Sequence, residues 1–285
     1  MSKLFFGTAG VPLSTNPASA SEILTVAGIR RLTELRLGAM EVEFVRRVYI
    51  TARTAPQVAT TQKETGILLS AHAPYFINLN AFEEAKLKLS RAYIYNAAKA
   101  LYACGGTDVI FHAGFYMECD AEETYKNIRE QIFLIEKKLA TENIKVRLRP
   151  EISGKPSAFG NVTEIINLSA DLKTVWPCID FSHAYARTCG QFNSYEDFCS
   201  IMHQMKEHLG EKSVTEYLHA HVSGITFTDK GEKSHLTFAQ SGFNVEALVC
   251  ALRDMHAGGR IICESNNLET DALFLQQSYE HFSNL

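Results

Sequence analysis

Short apolar runs in this 285-residue chain repeatedly end in a group that can bind a metal or carry a proton. Leu69-Ser70-Ala71 leads into His72, Ile110-Phe111 into His112, Arg149-Pro150 into Glu151, and Ile179 into Asp180, with His183 three residues on. Leu218 is followed by His219 and His221, which point to one side of an extended chain, and Ile261-Ile262-Cys263 leads into Glu264. Singly, such a histidine is most often a hydrogen-bonded structural residue, and such a carboxylate a helix cap or a rim ion pair. Recurrence after six successive runs shifts that balance. If those ends meet, several carboxylates share one pocket, where they repel and lose hydration unless cations neutralise them. Imidazole and carboxylate without thiolate suit Zn²⁺, Mn²⁺ or Fe²⁺ better than Mg²⁺ or Ca²⁺. The ligands are too many for one tetrahedral ion, so two or three ions are implied. Several ions in one pocket suit phosphoester hydrolysis, since they activate water and neutralise charge on the phosphate and leaving group.

The elements that must position these groups alternate regularly. Apolar runs at 4–8, 40–45, 67–72, 108–112, 145–151, 176–180, 217–222 and 260–264 are short and rich in Val, Ile, Leu and Phe, as buried parallel strands are. Amphipathic stretches separate them. Residues 83–102 stop at Gly105-Gly106, 121–141 form another long stretch, and Ser194-x-x-Asp197 marks a helix start before Gly210. Residues 244–256 and 271–283 complete the helical set. Eight strand–helix units in under 300 residues predict an α/β fold, a single (β/α)₈ TIM barrel over 1–285, with the metal site at the C-terminal rim of the strands. An open doubly wound sheet is the alternative, weakened by the absence of Gly-x-Gly-x-x-Gly and P-loop patterns. Residues 223–244 read as the longest irregular stretch, a loop on the functional face.

Composition narrows the class. With 46% hydrophobic and 21% charged residues the chain can bury a large core, and disorder is not expected. A net charge of −4 gives no support for a generally basic nucleic-acid binder, although bound divalent ions would make one face positive. The cysteine count is odd, at seven, and no Cys-x-x-Cys pair occurs, which points to buried thiols in a reducing compartment. No signal-peptide pattern and no apolar run long enough to span a membrane is found, so the expected location is cytoplasmic.

In order, His72-Ala-Pro-Tyr75-Phe-Ile-Asn78, Phe111-His112-Ala-Gly114, Pro150-Glu151-x-x-Gly154-Lys155, Cys178-Ile-Asp180-Phe-Ser-His183, His221-Val-Ser-Gly224 and Glu264 span nearly the whole chain. This ordered set resembles endonuclease IV, the zinc-dependent apurinic/apyrimidinic (AP) endonuclease family within the xylose-isomerase-like barrels. The resemblance implies two or three Zn²⁺ ions. His72 and His112 would hold one ion, with Glu151 bridging to a second completed by Asp180, His221 and Glu264, and His183 and His235 would belong to a third. It makes Glu151, Asp180 and Glu264 the catalytic set. The implied reaction is hydrolysis of the DNA backbone 5′ to an abasic site, leaving a 3′-hydroxyl, with cleaning of blocked 3′ ends as a related activity. The expected partner is double-stranded DNA carrying such lesions, bound by a monomer.

The chain departs from that pattern after His221. Where the family carries Asp-x-His, this sequence reads Glu232-Lys233-Ser234-His235. The Gly231-Glu-Lys-Ser-His-Leu stretch resembles archaeal-type members. Glu232 or Asp229 would supply the missing carboxylate, or Lys233 would place a positive charge there directly. Glu264 precedes Ser-Asn where the family commonly has Thr-Pro, and His219 is an extra histidine, expected as a hydrogen-bonded neighbour of the site. Tyr75 matches the family's DNA-wedging tyrosine by position, while Arg46 and Arg47 match its arginine by region only. Lys155, Phe159, Lys230 and Lys233 complete the candidate DNA contacts. The competing reading is a sugar isomerase or epimerase of the same barrel group, which needs one or two metals and a base.

Overall fold

The computed structural model describes residues 3–283, so both ends of the expected 1–285 span lie outside the described residues. The described residues form ten strands: β1 (Leu4–Ala9), β2 (Ala39–Glu43), β3 (Leu68–His72), β4 (Asp108–Phe111), β5 (Arg147–Pro150), β6 (Ile179–Asp180), β7 (Leu218–Val222), β8 (Gly224–Thr228), β9 (Gly231–Leu236) and β10 (Gly259–Cys263). The helices are α1 (Leu24–Glu34), α2 (Ala55–Thr65), α3 (Glu84–Ala103), α4 (Ala121–Thr141), α5 (Val162–Asp171), α6 (Phe181–Arg187), α7 (Tyr195–Leu209), α8 (Lys212–Thr215), α9 (Val245–Asp254) and α10 (Glu269–Ser283). Eight strands form one parallel sheet in the order β5-β4-β3-β2-β1-β10-β7-β6. Its two edges meet along residues 174–178. Trp176 donates its N–H to the Leu148 carbonyl and Cys178 to that of Pro150, while Ile152 donates back to Cys178. The barrel is thereby closed. The regular part of β6 is shorter than the expected 176–180 because Pro177 has no N–H to offer a ladder.

Local signals explain the element starts. Asn161 with Glu164, and Ser194 with Asp197, form reciprocal capping boxes on α5 and α7, and the Asp120 side chain caps α4. Outward strand residues such as Met40, Val42, Leu69 and Val109 pack against helix faces carrying Ile29, Leu32, Ile94 and Ala98, all essentially inaccessible to solvent. Many inward positions are polar, with Ile110 and Ile262 among the exceptions. Asp108, Arg149 and Arg260 lie low in the barrel, Glu41, Ser70 and His219 come next, and His72, His221 and Glu151 lie above them.

The stretch 223–244 differs from its expected irregular form. β8 and β9 pair as an antiparallel hairpin turning through Asp229 and Lys230. Gly231 at φ +87° makes that turn, and an added Cβ there would meet the Gly154 carbonyl oxygen at 2.3 Å. The hairpin is therefore seated against the loop that follows β5, and the Glu232 N–H donates to the Gly154 carbonyl at 2.9 Å.

Candidate functional site

Parallel strands and closure bring the strand ends together, and β6 shows how finely the chain sets them. Asp180 ends β6 and caps α6 by accepting the His183 N–H on Oδ1 at 2.6 Å, which fixes His183 beside it. Glu151, 1% exposed, lies at the centre. Its Oε2 is 3.1 Å from His72 Nε2 and 3.6 Å from His112 Nε2, and its Oε1 is 3.2 Å from both His221 Nδ1 and His183 Nδ1. Glu264 Oε1 is 3.3 Å from His221 Nδ1. On the far side, Glu232 Oε2 is 3.5 Å from His183 Nε2, and Glu232 Oε1 is 3.8 Å from His235 Nε2.

The ligand atoms fall into three adjoining groups, each gathered within 4.8 Å: His72, His112 and Glu151; Glu151, Asp180, His221 and Glu264; and His183, Glu232 and His235. Ring orientation fits cation binding. His72 Nδ1 lies 2.7 Å from the Ala73 carbonyl, His183 Nδ1 2.9 Å from that of Ile152, and His235 Nδ1 3.2 Å from that of Glu264. A proton donated there leaves each Nε2 lone pair facing its cluster. Asp180 Oδ2 is buried without a hydrogen bond, a state costing about 1–3 kcal/mol unless a cation satisfies it. The donor set and the orphaned oxygen both fit divalent metals of the Zn²⁺, Mn²⁺ or Fe²⁺ type.

Glu232, not Lys233, supplies the acidic group of the third cluster. Ile225 and Thr226 of β8 pair with His235 and Ser234, but Phe227 pairs with Glu232, so Lys233 is the extra residue of a bulge. The bulge turns a Glu-x-x-His spacing into two side chains on one face and leaves Lys233 exposed. Gly154 makes room for them, since a Cβ there would lie 2.7 Å from the Glu232 Cβ and 2.9 Å from His183 Cδ2.

A cavity of about 490 Å³ opens over the clusters, lined by His72, Tyr75, His112, Lys155, Glu232 and Glu264 among others. Tyr75 is 58% exposed at its mouth, with its ring 6.3 Å from that of His72. Arg46 and Arg47 are exposed beyond β2 and line no part of this cavity; Arg47 borders a separate groove beside α3. Phe159 is fully buried against Tyr116 and Tyr125, which removes it from the candidate DNA contacts, and Lys230 lies exposed at the hairpin turn. Two further carboxylates belong to the site and were not among the sequence candidates. Glu43 lines the cavity with Oε1 buried and unpartnered, and Glu41 is buried beneath it.

With no cation bound, protons balance the charge. Burial pushes Asp180 up to about 8, with Glu264 and Glu151 adding to the rise against the pull of His183. Glu43 rises to about 8, again chiefly through burial. For His72 burial works downward, but the hydrogen bond to Glu151 and its charge outweigh it and raise the imidazole to about 10. Burial takes His112 the other way, to about 4. Cations must displace the protons on Asp180 and His72, so Zn²⁺ affinity of the stripped protein is expected to strengthen as pH rises toward and through about 8. Calorimetric titration in buffers of different ionisation enthalpy should show protons released as Zn²⁺ binds. Affinity unchanged across that range would contradict this charge balance.

A family model described as xylose isomerase-like TIM barrel matches residues 29–283. The chain belongs to this family. An uncharacterised protein of Methanocaldococcus jannaschii is 42% identical over 278 residues, 97% of each chain. Among solved structures, endonuclease IV from Thermus thermophilus superposes with a TM-score of 0.72 at 18% identity, covering 97% of this chain and 99% of that one. A D-tagatose 3-epimerase-like protein gives 0.71 at 16% identity, covering 91% and 96%. At these identities the two structures establish the fold alone. Among the described residues, no helix is long and apolar enough to cross a membrane.

Proposed function

We propose that this protein is a divalent-metal-dependent AP endonuclease of the endonuclease IV type, which hydrolyses the backbone of double-stranded DNA 5′ to an abasic site. The observation that carries the proposal is the set of three adjoining ligand clusters around one shared carboxylate, Glu151. An isomerase or epimerase site needs one or two metals and a base, for which fewer than three clusters suffice. The added His72–His112 pair and the His183–Glu232–His235 group give a multi-metal site, which suits phosphodiester hydrolysis.

Ions of the zinc class, two or three per chain, would activate water and neutralise charge on the phosphate. Glu151 holds the first two clusters in register, Asp180 and Glu264 complete the second, and Glu232 with His183 and His235 forms the third. Lys155 on the cavity wall supplies a cation for a backbone phosphate, and Tyr75 at the mouth fills the gap left by an everted base-less nucleotide. Arg46, Arg47 and Lys233, all exposed, act as peripheral phosphate contacts for a monomeric enzyme with a cytoplasmic role in DNA repair.

Glu43 favours the sugar-epimerase reading, because an unpartnered carboxylate on the cavity wall could move a proton to and from a sugar carbon. One experiment separates the two. Purified protein is counted for bound metal and incubated with a duplex carrying a single abasic analogue, with and without EDTA. Scission 5′ to the lesion that chelation abolishes, with close to three metals per chain, is expected. No scission, together with epimerisation of a ketose in parallel samples, would overturn the nuclease assignment.

A further inference from the structure

β2 sends two alternate side chains, Glu41 and Glu43, into the barrel. Glu43 reaches the cavity, whereas Glu41 stays beneath the candidate metal centre with no exposure to solvent. A buried carboxylate needs a reason, and its neighbours provide one. Glu41 Oε2 accepts the Ser70 hydroxyl at 2.7 Å and lies 3.1 Å from His219 Nε2. Glu41 Oε1 lies 3.0 Å from His221 Nε2, and both atoms are buried with no aligned hydrogen bond to any group, so each is the other's charged neighbour. The opposite ring nitrogen, His221 Nδ1, is the one that faces Glu151 and Glu264. Strand register fixes the arrangement, since Glu41 pairs with Ser70 across β2 and β3, and His219 and His221 share one side of β7.

We propose that Glu41 is the positioning residue for the Asp180–His221–Glu264 cluster, and that it holds the His221 ring so that Nδ1 presents its lone pair to a divalent metal. This rests on the reading of that cluster as a metal site. A carboxylate behind a ligating histidine fixes the tautomer, stops ring rotation and raises the basicity of the metal-facing nitrogen. His219 and Ser70 serve Glu41 in turn, because two donors on Oε2 leave Oε1 pointing at His221. Cys178 also brings its sulfur within 4.8 Å of ring nitrogens of His219 and His221. Both imidazoles already face Glu41, so the cysteine belongs to the support of the ring and is not a fourth ligand set.

The test uses the full chain, stripped of metal and titrated with Zn²⁺ against a chromophoric chelator, with no nucleic acid present. In Glu41→Gln, one Zn²⁺ step should weaken about 10- to 100-fold while the others keep wild-type strength. The Co²⁺-loaded variant should show altered visible absorption, and the far-UV circular dichroism should match wild type. A merely structural role would lower the melting temperature and leave the chelator competition unchanged. If Glu41→Gln does not fold, Ser70→Ala decides, because it keeps the carboxylate and removes one of its anchors. Selective weakening of one step by a few-fold supports the assignment. Wild-type affinity at every step, in a folded Glu41→Gln or in Ser70→Ala, overturns it. The readout involves metal alone, so either result stands whatever the protein does with abasic DNA.

Discussion

Glu151→Gln is expected to fold normally, bind fewer metal ions and lose activity on abasic duplex by about 10³-fold, roughly 4 kcal/mol of transition-state stabilisation. The glutamine keeps the size and shape of the side chain, so the core around it should not collapse. What it loses is the second anionic oxygen. Oε2 now faces His72 and His112, while Oε1 faces His221 and His183, and a neutral amide offers one acceptor and one donor to those two sides. One side must therefore confront an N–H. Burial alone would make Glu151 easier to protonate, but His112, His221 and the hydrogen bond from His183 hold it well below the usual carboxylate range, so the folded site is built around its ionised form. Metal counting on the purified variant, circular dichroism and cleavage kinetics check the three parts of the expectation separately. A folded Glu151→Gln protein that cleaves at the wild-type rate would remove Glu151 from the centre of the site.

The ligands were legible in the sequence because of where they fall. His72, His112, Asp180 and Glu264 each end a run of residues too apolar to be anything but a buried strand, and in a parallel barrel all such ends meet at one rim. Glu41 and Glu43 were hidden by the same rule. They alternate with Met40 and Val42, and an apolar–acidic alternation normally marks a strand with one face in water. Here the face opposite the helices is the barrel interior, which only closure of the sheet reveals. The hairpin of β8 and β9 was legible in principle, since Ile225 and Phe227 alternate before an Asp-Lys-Gly turn, but Glu232 and His235 sit three apart. That spacing matches a strand face only when Lys233 bulges out, and a bulge depends on cross-strand pairing that no local pattern states. Arg46 and Arg47 match by region only, and beyond buried Phe44 both are exposed and line no part of the cavity.

The other end of the barrel should govern stability without governing metal binding. A second cavity there, about 660 Å³ and walled by Trp176, Tyr217 and Arg147, contains none of the three ligand clusters. Below it the charge arrangement is unusual, because Asp108, completely buried, faces three guanidinium groups. Arg147 contacts it through Nε at 2.6 Å and Nη2 at 2.8 Å, Arg260 through Nη2 at 2.9 Å, and Arg149 through Nε. Arg149 is 2% exposed and also donates from Nη1 to the Pro177 carbonyl and from Nη2 to the Tyr217 carbonyl, tying β5 to the strands across the closing seam. Burial would raise the Asp108 carboxyl, but the charges of Arg149, Arg260 and Arg147 outweigh it and hold the group well below its ordinary value. A depressed folded value means that the stabilisation is complete above the unfolded value, near about pH 4, and is lost as pH falls below it. Asp108→Asn removes the one anion and leaves buried cations facing each other, so it should cost about 3–5 kcal/mol, lowering the melting temperature by roughly 10 °C. The loss should be constant above about pH 4 and should shrink only below it, where wild type loses the same charge. Residual folded Asp108→Asn protein should still bind Zn²⁺ with wild-type affinity, since no ligand contacts this layer. Thermal melts of both proteins across acid to neutral pH measure the difference, and curves that stay parallel over the whole range would show that the Asp108 charge is not what holds the seam.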